Sequence, residues 1–168
     1  MAEYLNKILN GNCVDLMAQL PDNSVDLVVT SPPYDNLRTY KGYSFPFDEI
    51  VIQLYRIIKD GGVVVWVVSD ATINGSETGT SFKQALKFME IGFNLHDTMI
   101  FHKANPVPQI YRKRYTNVFE YMFVFSKGTP KTFNPIMEKC KLVGTKVKAG
   151  HTHLDIKEKR KTNRGVFM

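Results

Sequence analysis

Two short, continuous apolar segments separated by an amphipathic one constrain the fold of this chain more than any other feature. Residues 25–30 read VDLVVT and residues 63–68 read VVVWVV, the pattern of strands that are buried on both faces of a parallel sheet. Between them, residues 47–59 show helical periodicity and are followed by Asp60-Gly61-Gly62, a helix C-cap signal. This strand–helix–strand order predicts a parallel α/β sheet.

The flanking segments extend the alternation. Residues 4–9 are predicted to form a short strand, residues 13–20 one or two helical turns, and Thr80-Ser81 can cap a helix that runs to about Ile91. Residues 95–102 and 118–126 are predicted strands joined by a basic loop. We therefore expect a mostly parallel α/β sheet with an antiparallel hairpin at one edge.

Composition is that of a soluble globular domain. The chain has 168 residues, of which 43% are hydrophobic and 23% are charged, enough for one domain with a core. No apolar run approaches the roughly 20 residues that cross a bilayer. The first residues lack the apolar region of a signal peptide. These features predict a cytoplasmic protein without a membrane partner.

Positive charge is concentrated at the C-terminal end. The net charge is +6, and the residues from Lys139 onward hold nine Lys/Arg and two Asp/Glu. The sequence predicts a catalytic part over residues 1–128 and a basic tail over residues 129–168 that begins a DNA-recognition region and is a candidate for disorder. Such a tail either meets a polyanionic partner or is simply solvated.

Cysteine and histidine give little sign of metal or redox chemistry. Cys13 and Cys140 are far apart and match no metal spacing or redox pair, so two reduced thiols are expected. His151-Thr152-His153 lacks a third ligand at metal spacing. We expect no metal site.

The segment Ser31-Pro32-Pro33-Tyr34 follows the first long apolar strand directly. Its two prolines fix φ and remove two amide donors, which leaves a rigid turn with unclaimed carbonyl oxygens. In α/β sheets, ligands bind at loops beyond the carboxyl ends of strands, and residues 31–38 and 69–79 both have that position. The Ser31 and Pro32 oxygens could accept the two N–H bonds of an exocyclic amino group while Tyr34 stacks on its ring.

That arrangement suits methylation of an amino nitrogen. The lone pair of such a nitrogen is delocalised, and two acceptors can stabilise the positive charge that develops on it. Methylation at carbon 5 of cytosine would need a nucleophilic cysteine instead, and neither Cys13 nor Cys140 lies in a predicted site loop. The alternative for these four residues is a plain proline-rich turn.

Several segments together resemble a known family, the N4-cytosine/N6-adenine DNA methyltransferases of the permuted β type, as found in prophages of low-GC Gram-positive bacteria. The similarity runs from about residue 3 to residue 148. It implies a partial Rossmann-like class I methyltransferase sheet. The segments that carry it are Gly11-Asn12, residues 20–34, residues 55–66 with Asp70, residues 102–105, residues 112–114 and residues 117–120.

The resemblance also implies roles for particular residues. It implies double-stranded DNA as partner, a target base flipped out of the duplex, and S-adenosylmethionine as methyl donor. Ser31, Pro32, Pro33 and Tyr34 are the predicted catalytic residues, and Asn12 and Ser31 the predicted donor-binding residues. Asn12 stands where relatives have an acidic residue, so a structural turn asparagine is an equal alternative. The predicted DNA-binding residues are Arg38, Lys103, Arg112, Lys113 and Arg114.

Three further residues keep open alternatives. Phe101 either packs near the flipped base or belongs to the core. Asp70 either orients base or donor, or caps a helix. The loop carrying Lys103 either binds phosphates, with Tyr111 and Tyr115 against sugar or base, or is a solvated hairpin tip.

One family feature is not found in the sequence, the donor-binding motif Asp-Pro-Phe-x-Gly-x-Gly. Without its neighbouring strand, the segment 25–30 is expected to form an apolar sheet edge, which favours self-association or pairing with a second chain. The function predicted is methyl transfer to N4 of cytosine or N6 of adenine. The alternatives are an inactive remnant or half of a split enzyme that keeps only DNA binding.

Overall fold

The computed structural model of the chain describes residues 4–33, 45–106 and 113–137. Contacts divide the chain into a unit of residues 1–131 and a second unit of residues 132–168. The helices of the first unit are α1 (Cys13–Ala18), α2 (Phe47–Ile57) and α3 (Thr80–Ile91), and the strands are β1 (Val25–Thr30), β2 (Ile58–Val68), β3 (Thr72–Ile73), β4 (Ser76–Glu77), β5 (Asn94–His102) and β6 (Phe119–Ser126).

Four of these strands form the main sheet, in the order β1-β2-β6-β5. β1 pairs with β2 in parallel, whereas β6 runs antiparallel to both β2 and β5. β1, β2 and β5 therefore point in one direction, and β6 is inserted between two of them in the opposite direction. The predicted α/β class with an antiparallel hairpin at one edge is confirmed.

One face of the sheet carries the hydrophobic core. α2 and α3 lie on this face, and the largest buried side chains there are aromatic. Phe88 of α3 stacks on Phe125 of β6 with ring centroids 4.1 Å apart, and Trp66 of β2 meets Phe88 edge-on at 5.1 Å. α1 contacts α2 and adds Val14 and Met17 to the same cluster. This packing holds β2 and β6 at the centre of the sheet.

The opposite face of the sheet, which we call the open face, is apolar and carries no helix from the described part of the chain. Leu27 and Val29 of β1 are 56% and 65% exposed, and Met99 of β5 is 40% exposed. Between them lie half-buried residues of β2 and β6. The expectation that β1 is buried on both faces is therefore wrong, since only its inward face is covered. The apolar residues of the open face include Leu27, Val29, Val63, Val65, Val67, Met99, Met122 and Val124.

Several predicted element bounds differ from the structure. Residues 4–9 form a turn and an irregular segment instead of a strand. β2 begins at Ile58, immediately after α2, and includes the two glycines predicted to stop the helix. Gly61, with φ of 80°, donates its N–H to the Lys127 carbonyl oxygen at 2.6 Å. The glycines thus form an irregular extension of the strand, where the absence of a side chain makes a positive φ accessible without strain.

The second unit is described only over residues 132–137, which are exposed and have no regular secondary structure. The predicted boundary at residue 128 and the nature of the basic tail remain predictions. None of the described helices is long and apolar enough to cross a membrane.

Candidate active site

The carboxyl ends of the three co-directional strands bring the predicted site segments to one edge of the sheet, the carboxyl edge. Ser31 follows β1, Ser69 and Asp70 follow β2, and Lys103 follows β5. β6 begins at the same edge because it runs in the opposite direction, and the Lys103 N–H extends its pairing by donating to the Val118 carbonyl oxygen at 2.8 Å. Segments distant in sequence therefore share the position at which α/β sheets bind ligands.

The turn at Ser31-Pro32-Pro33 combines a buried proline with an exposed hydroxyl. Pro32 is buried, Pro33 is half-buried and Ser31 is exposed. No described residue forms a hydrogen bond with the Ser31 hydroxyl or the Pro32 carbonyl oxygen. The two acceptors predicted to hold an amino group are thus not used within the described fold. Tyr34 and Arg38 lie outside the described residues.

The strand that leads into this turn, β1, is held in place by its neighbour β2. Thr30 is in register with Trp66 of β2, whose side chain is only 2% exposed. The Trp66 indole Nε1 donates a hydrogen bond to Gln84 Oε1 at 2.8 Å, which satisfies both buried polar groups. The last residue of β1 therefore lies against a close-packed, fully hydrogen-bonded neighbour, and Ser31 extends from a rigid support.

Asp70 acts as a helix cap in this structure. Its carboxylate accepts hydrogen bonds from Ser81 N at 2.9 Å, from Ser81 Oγ at 2.5 Å and from Thr78 Oγ1 at 3.3 Å. The residue at the N-cap position itself is Gly79, at φ of 65°, and it has no side chain to supply a cap. The capping predicted for Thr80-Ser81 is therefore provided by a carboxylate from the end of β2.

Asn12 also has a capping role. It is the N-cap residue of α1, and its Oδ1 accepts a hydrogen bond from Val14 N at 2.9 Å. This is the turn-asparagine alternative, and it uses the acceptor oxygen of the side chain. Donor binding by Asn12 stays a prediction.

The basic residues near the β5–β6 connection have different surroundings. Lys103 Nζ lies 2.8 Å from Glu120 Oε1, and that glutamate side chain is 13% exposed. Arg114 donates to the Gly75 carbonyl oxygen and lies 3.6 Å from Glu77 Oε1. Lys113 is exposed and forms no ion pair within the described ranges. Arg112, like Tyr111, lies outside them.

The acidic partners of these cations were missed by the sequence reasoning. Glu120 lies on β6 opposite Phe101, and Glu77 lies in the β3–β4 hairpin, far before Arg114 in the chain. Glu120 is the one charged residue of β6, and a lone carboxylate in a largely apolar strand is a signal for a cationic partner. Nothing local in the sequence points from Glu77 to Arg114.

A small cavity of about 30 Å³ lies at the carboxyl edge, between the end of β2 and the start of β6. Its volume holds one or two water molecules, too few for a nucleobase. Phe101, on the outer strand β5, is 50% exposed, so the core alternative for this residue does not describe it. The cavity is lined by Ser69, Asp70, Glu77, Asn117, Phe119, Glu120 and Tyr121.

Metal chemistry gains no support from the described residues, where no group of three His, Cys, Asp or Glu side chains could hold an ion. Cys13 is an exposed free thiol on α1, and Cys140 with His151 and His153 lies outside the described residues.

Comparison with known proteins identifies the family of this chain. A family model described as DNA methylase matches residues 25–166, which begins at β1 and includes the Ser31 turn. The chain belongs to this DNA methylase family.

Individual DNA methylases are similar over long stretches. The orphan methyltransferase M.BamHII of Bacillus amyloliquefaciens is 60% identical over 119 residues, which cover 70% of this chain and 44% of that protein. Among solved structures, the PvuII DNA methyltransferase (cytosine-N4-specific) superposes with a TM-score of 0.60 at 21% identity, covering 72% of this chain and 49% of that one. A DNA modification methylase from Thermus thermophilus, complexed with S-adenosyl-L-methionine, superposes with a TM-score of 0.56 at 24% identity, covering 76% and 57%.

This DNA methylase chain spans about half the length of the relatives it matches. The structural likenesses, at 21% and 24% identity, establish a shared fold. The fold agrees with the Rossmann-like sheet implied by the sequence resemblance.

Proposed function

We propose that this chain forms the base-gripping part of an S-adenosylmethionine-dependent DNA methyltransferase that modifies an exocyclic amino group of a flipped base, N4 of cytosine or N6 of adenine. The observation that carries the proposal is the Ser31-Pro32-Pro33 turn at the carboxyl edge, where the Ser31 hydroxyl and the Pro32 carbonyl oxygen have no partner among the described residues. Membership of the DNA methylase family supports it.

The chemistry assigned to the turn follows from these two acceptors. Each accepts one N–H of the target amino group, which draws the nitrogen lone pair out of conjugation and stabilises the positive charge formed as the nitrogen gains the methyl group. The sulfur–methyl bond of the donor would break in the same step, the donor would leave as S-adenosylhomocysteine, and one amino proton would then pass to solvent. Tyr34, which follows the turn in sequence, is proposed to stack on the base. A covalent enzyme intermediate is not required, because the base nitrogen itself is the nucleophile.

A methyl donor would fit at the carboxyl edge, beside Ser31. S-adenosylmethionine would supply the methyl group, and the edge beside Ser31 is where ligands of α/β sheets lie. Asn12 is proposed as a second contact, through its amide nitrogen, because its Oδ1 already accepts from Val14 N. Both residues follow or precede regular elements of the first unit, so their positions are defined by the fold.

Mass spectrometry of nucleosides tests the proposal and identifies the base. DNA from cells that express the intact gene should contain N4-methylcytosine or N6-methyladenine that control cells lack. Ser31→Ala should lower this product by about 100-fold, the usual effect of removing one transition-state hydrogen bond. Thr129→Ala, an exposed hydroxyl residue after the end of β6, should leave it unchanged. Absence of both modified bases in cells with abundant wild-type protein would refute the proposal.

A second polypeptide segment is proposed to complete the domain. β1 is an edge strand of the described sheet, and its residues Leu27 and Val29 are more than half exposed. Parallel strand pairs such as β1–β2 are normally covered on both faces, and exposed apolar edges associate. We propose that the open face is covered either by a second chain that supplies donor-binding elements or by self-association. Light scattering should show association of the isolated chain, and a thermally stable monomer would contradict it.

An inactive remnant that only binds DNA is the alternative function, favoured by the engagement of Asn12 in a helix cap. Titration calorimetry with S-adenosylmethionine distinguishes the two. Heat of binding at millimolar donor, for this chain alone or together with the segment that completes the domain, supports the methyltransferase. Its absence in both cases, while DNA is still bound, supports the remnant.

Double-stranded DNA is the proposed partner and the bacterial cytoplasm the proposed site of action. The relatives at the sequence level include a protein of Bacillus amyloliquefaciens. The residues proposed to lie at the DNA-facing side are Arg38, Lys103, Arg112, Lys113 and Arg114.

A further inference from the structure

Two cations of the β5–β6 connection, Lys103 at its start and Arg114 towards its end, are each paired with a carboxylate. Lys103, the first residue after β5, lies 2.8 Å from Glu120 of β6, and the two side chains are 31% and 13% exposed. A carboxylate this deeply buried needs a cation or several donors. The Lys103 ammonium is therefore committed to Glu120, and the pair together presents no net charge to a polyanion.

Arg114, towards the far end of the connection, also lies beside a carboxylate, but a more exposed one. Its guanidinium donates to the Gly75 carbonyl oxygen and lies 3.6 Å from Glu77, both in the β3–β4 hairpin. The guanidinium is one-third exposed and the glutamate 59% exposed. This contact ties the connection to an element that lies much earlier in the chain. Its charge, like that of Lys103, is balanced by a neighbouring carboxylate.

Lys113 differs from both. It is exposed, and no acidic side chain among residues 4–33, 45–106 and 113–137 pairs with it. When an unpaired lysine neutralises a DNA phosphate, it displaces counterions that were condensed on the DNA. A lysine already paired with a carboxylate displaces few. We infer that Lys103 and Arg114 are positioning residues that fix the two ends of the β5–β6 connection, and that Lys113 between them makes the phosphate contact. The inference rests on the proposed DNA binding.

Salt dependence of DNA binding separates the two roles. Affinity of the full chain for a labelled duplex is measured by fluorescence anisotropy between about 50 and 200 mM salt. Lys113→Gln should lower the slope of log affinity against log salt by about 0.9, the value for one lost phosphate contact. Lys131→Gln, the same change at an exposed lysine beyond the other end of β6, should leave the slope unchanged.

The decisive variants are paired substitutions. Lys103→Gln alone removes the cation beside Glu120 and should weaken binding. Adding Glu120→Gln restores neutrality, and the double variant should recover affinity to within about twofold and keep the wild-type slope, since no phosphate contact is lost. Arg114→Gln with Glu77→Gln should behave in the same way. Circular dichroism confirms that each variant is folded.

The outcomes distinguish failure of the positioning roles from failure of the proposed DNA binding. A wild-type chain that does not bind DNA refutes the proposed DNA binding. The positioning role alone is refuted if the wild-type chain binds DNA but the Lys103→Gln/Glu120→Gln double variant does not recover. In that case the double variant binds as weakly as Lys103→Gln and has the same reduced salt slope. An unchanged slope for Lys113→Gln refutes its phosphate contact.

Discussion

The two ends of the sheet differ in how far their polar groups are already used. At the amino edge, where β2 begins and β6 ends, Lys127 Nζ donates to Asn23 Oδ1 at 2.8 Å, to the Tyr55 carbonyl oxygen at 3.0 Å and to the Ile58 carbonyl oxygen at 3.1 Å. At the carboxyl edge the Ser31 hydroxyl has no partner among the described residues. One end of the fold uses its polar groups within the fold, while the other leaves the Ser31 hydroxyl without a partner among the described residues.

Arg56 reinforces the amino edge. Its guanidinium donates to the Leu20 carbonyl oxygen at 2.8 Å and to the Met17 carbonyl oxygen at 2.7 Å, and it pairs with Asp22 at 2.5 Å. These carbonyls end α1 and the turn that follows it, so one side chain joins two helices and the segment that leads into β1. Among the described residues of the carboxyl edge, comparable bonding lies away from Ser31, around Asp70, Glu120 and Arg114. A rigid amino edge allows the opposite loops to specialise in binding.

Removing the Lys127 ammonium should have the largest effect. Lys127→Met leaves three acceptors without their charged donor, and hydrogen bonds to charged groups contribute about 1.5–3 kcal/mol each when lost singly. We expect the free energy of unfolding to fall by about 3 kcal/mol in urea denaturation. Lys113→Met, the matched change at an exposed lysine, should shift it by less than about 0.5 kcal/mol. Equal losses of unfolding free energy for the two variants would contradict a stabilising role specific to Lys127 at the amino edge.

The Ser31 hydroxyl should matter for activity and not for stability. Ser31→Ala is expected to lower methyl transfer by about 100-fold, which corresponds to about 2.7 kcal/mol in the barrier. Its unfolding free energy should stay within about 0.5 kcal/mol of the wild type, because no described residue bonds to the hydroxyl. A loss of stability alongside the loss of activity would mean that the hydroxyl stabilises the fold, which would contradict the difference between the two edges.

Asp70 tests whether every polar group at the carboxyl edge is free for ligands. Asp70→Ala removes the acceptor for Ser81 N and Ser81 Oγ and should lower stability by about 1–2 kcal/mol, as for a lost helix cap. Asp70→Asn keeps an acceptor oxygen and should lose less. Thermal denaturation measures both. If Asp70→Asn left stability intact but weakened donor binding in calorimetry, Asp70 would belong to the site as well as to the cap.

A small effect on stability is expected on the open face. Changing both Leu27 and Val29 to Thr keeps residues that favour strands while removing apolar surface from side chains that are 56% and 65% exposed. The unfolding free energy should change by less than about 1 kcal/mol, whereas self-association seen by light scattering should fall. The same changes at buried Val64 and Val68 serve as the contrast and should be strongly destabilising. Unchanged association would place the contact elsewhere.

Much of the fold followed from local patterns. β1 was predicted with the bounds that the structure shows, and α3 was predicted to within about a residue at each end, although its N-cap is Gly79 and not Thr80-Ser81. An uninterrupted apolar run and a helical period leave few alternatives. The boundary between α2 and β2 was wrong, since Asp60-Gly61-Gly62 is held in an extended segment by hydrogen bonds to Lys127, just after β6. A contact with a segment far along the chain outweighed a local stop signal.

The sequence by itself determined the strand-and-helix order, the position of Ser31-Pro32-Pro33 after β1 and the family to which the chain belongs. These depend on neighbours in the chain, whose periodicity and prolines can be read directly. Only the tertiary structure decided that Asp70 caps α3, that Glu120 neutralises Lys103 and that Lys127 closes the amino edge. Each of these is a pairing of charges or hydrogen-bonding groups separated in sequence, and such pairs are selected by where the sheet brings their strands together.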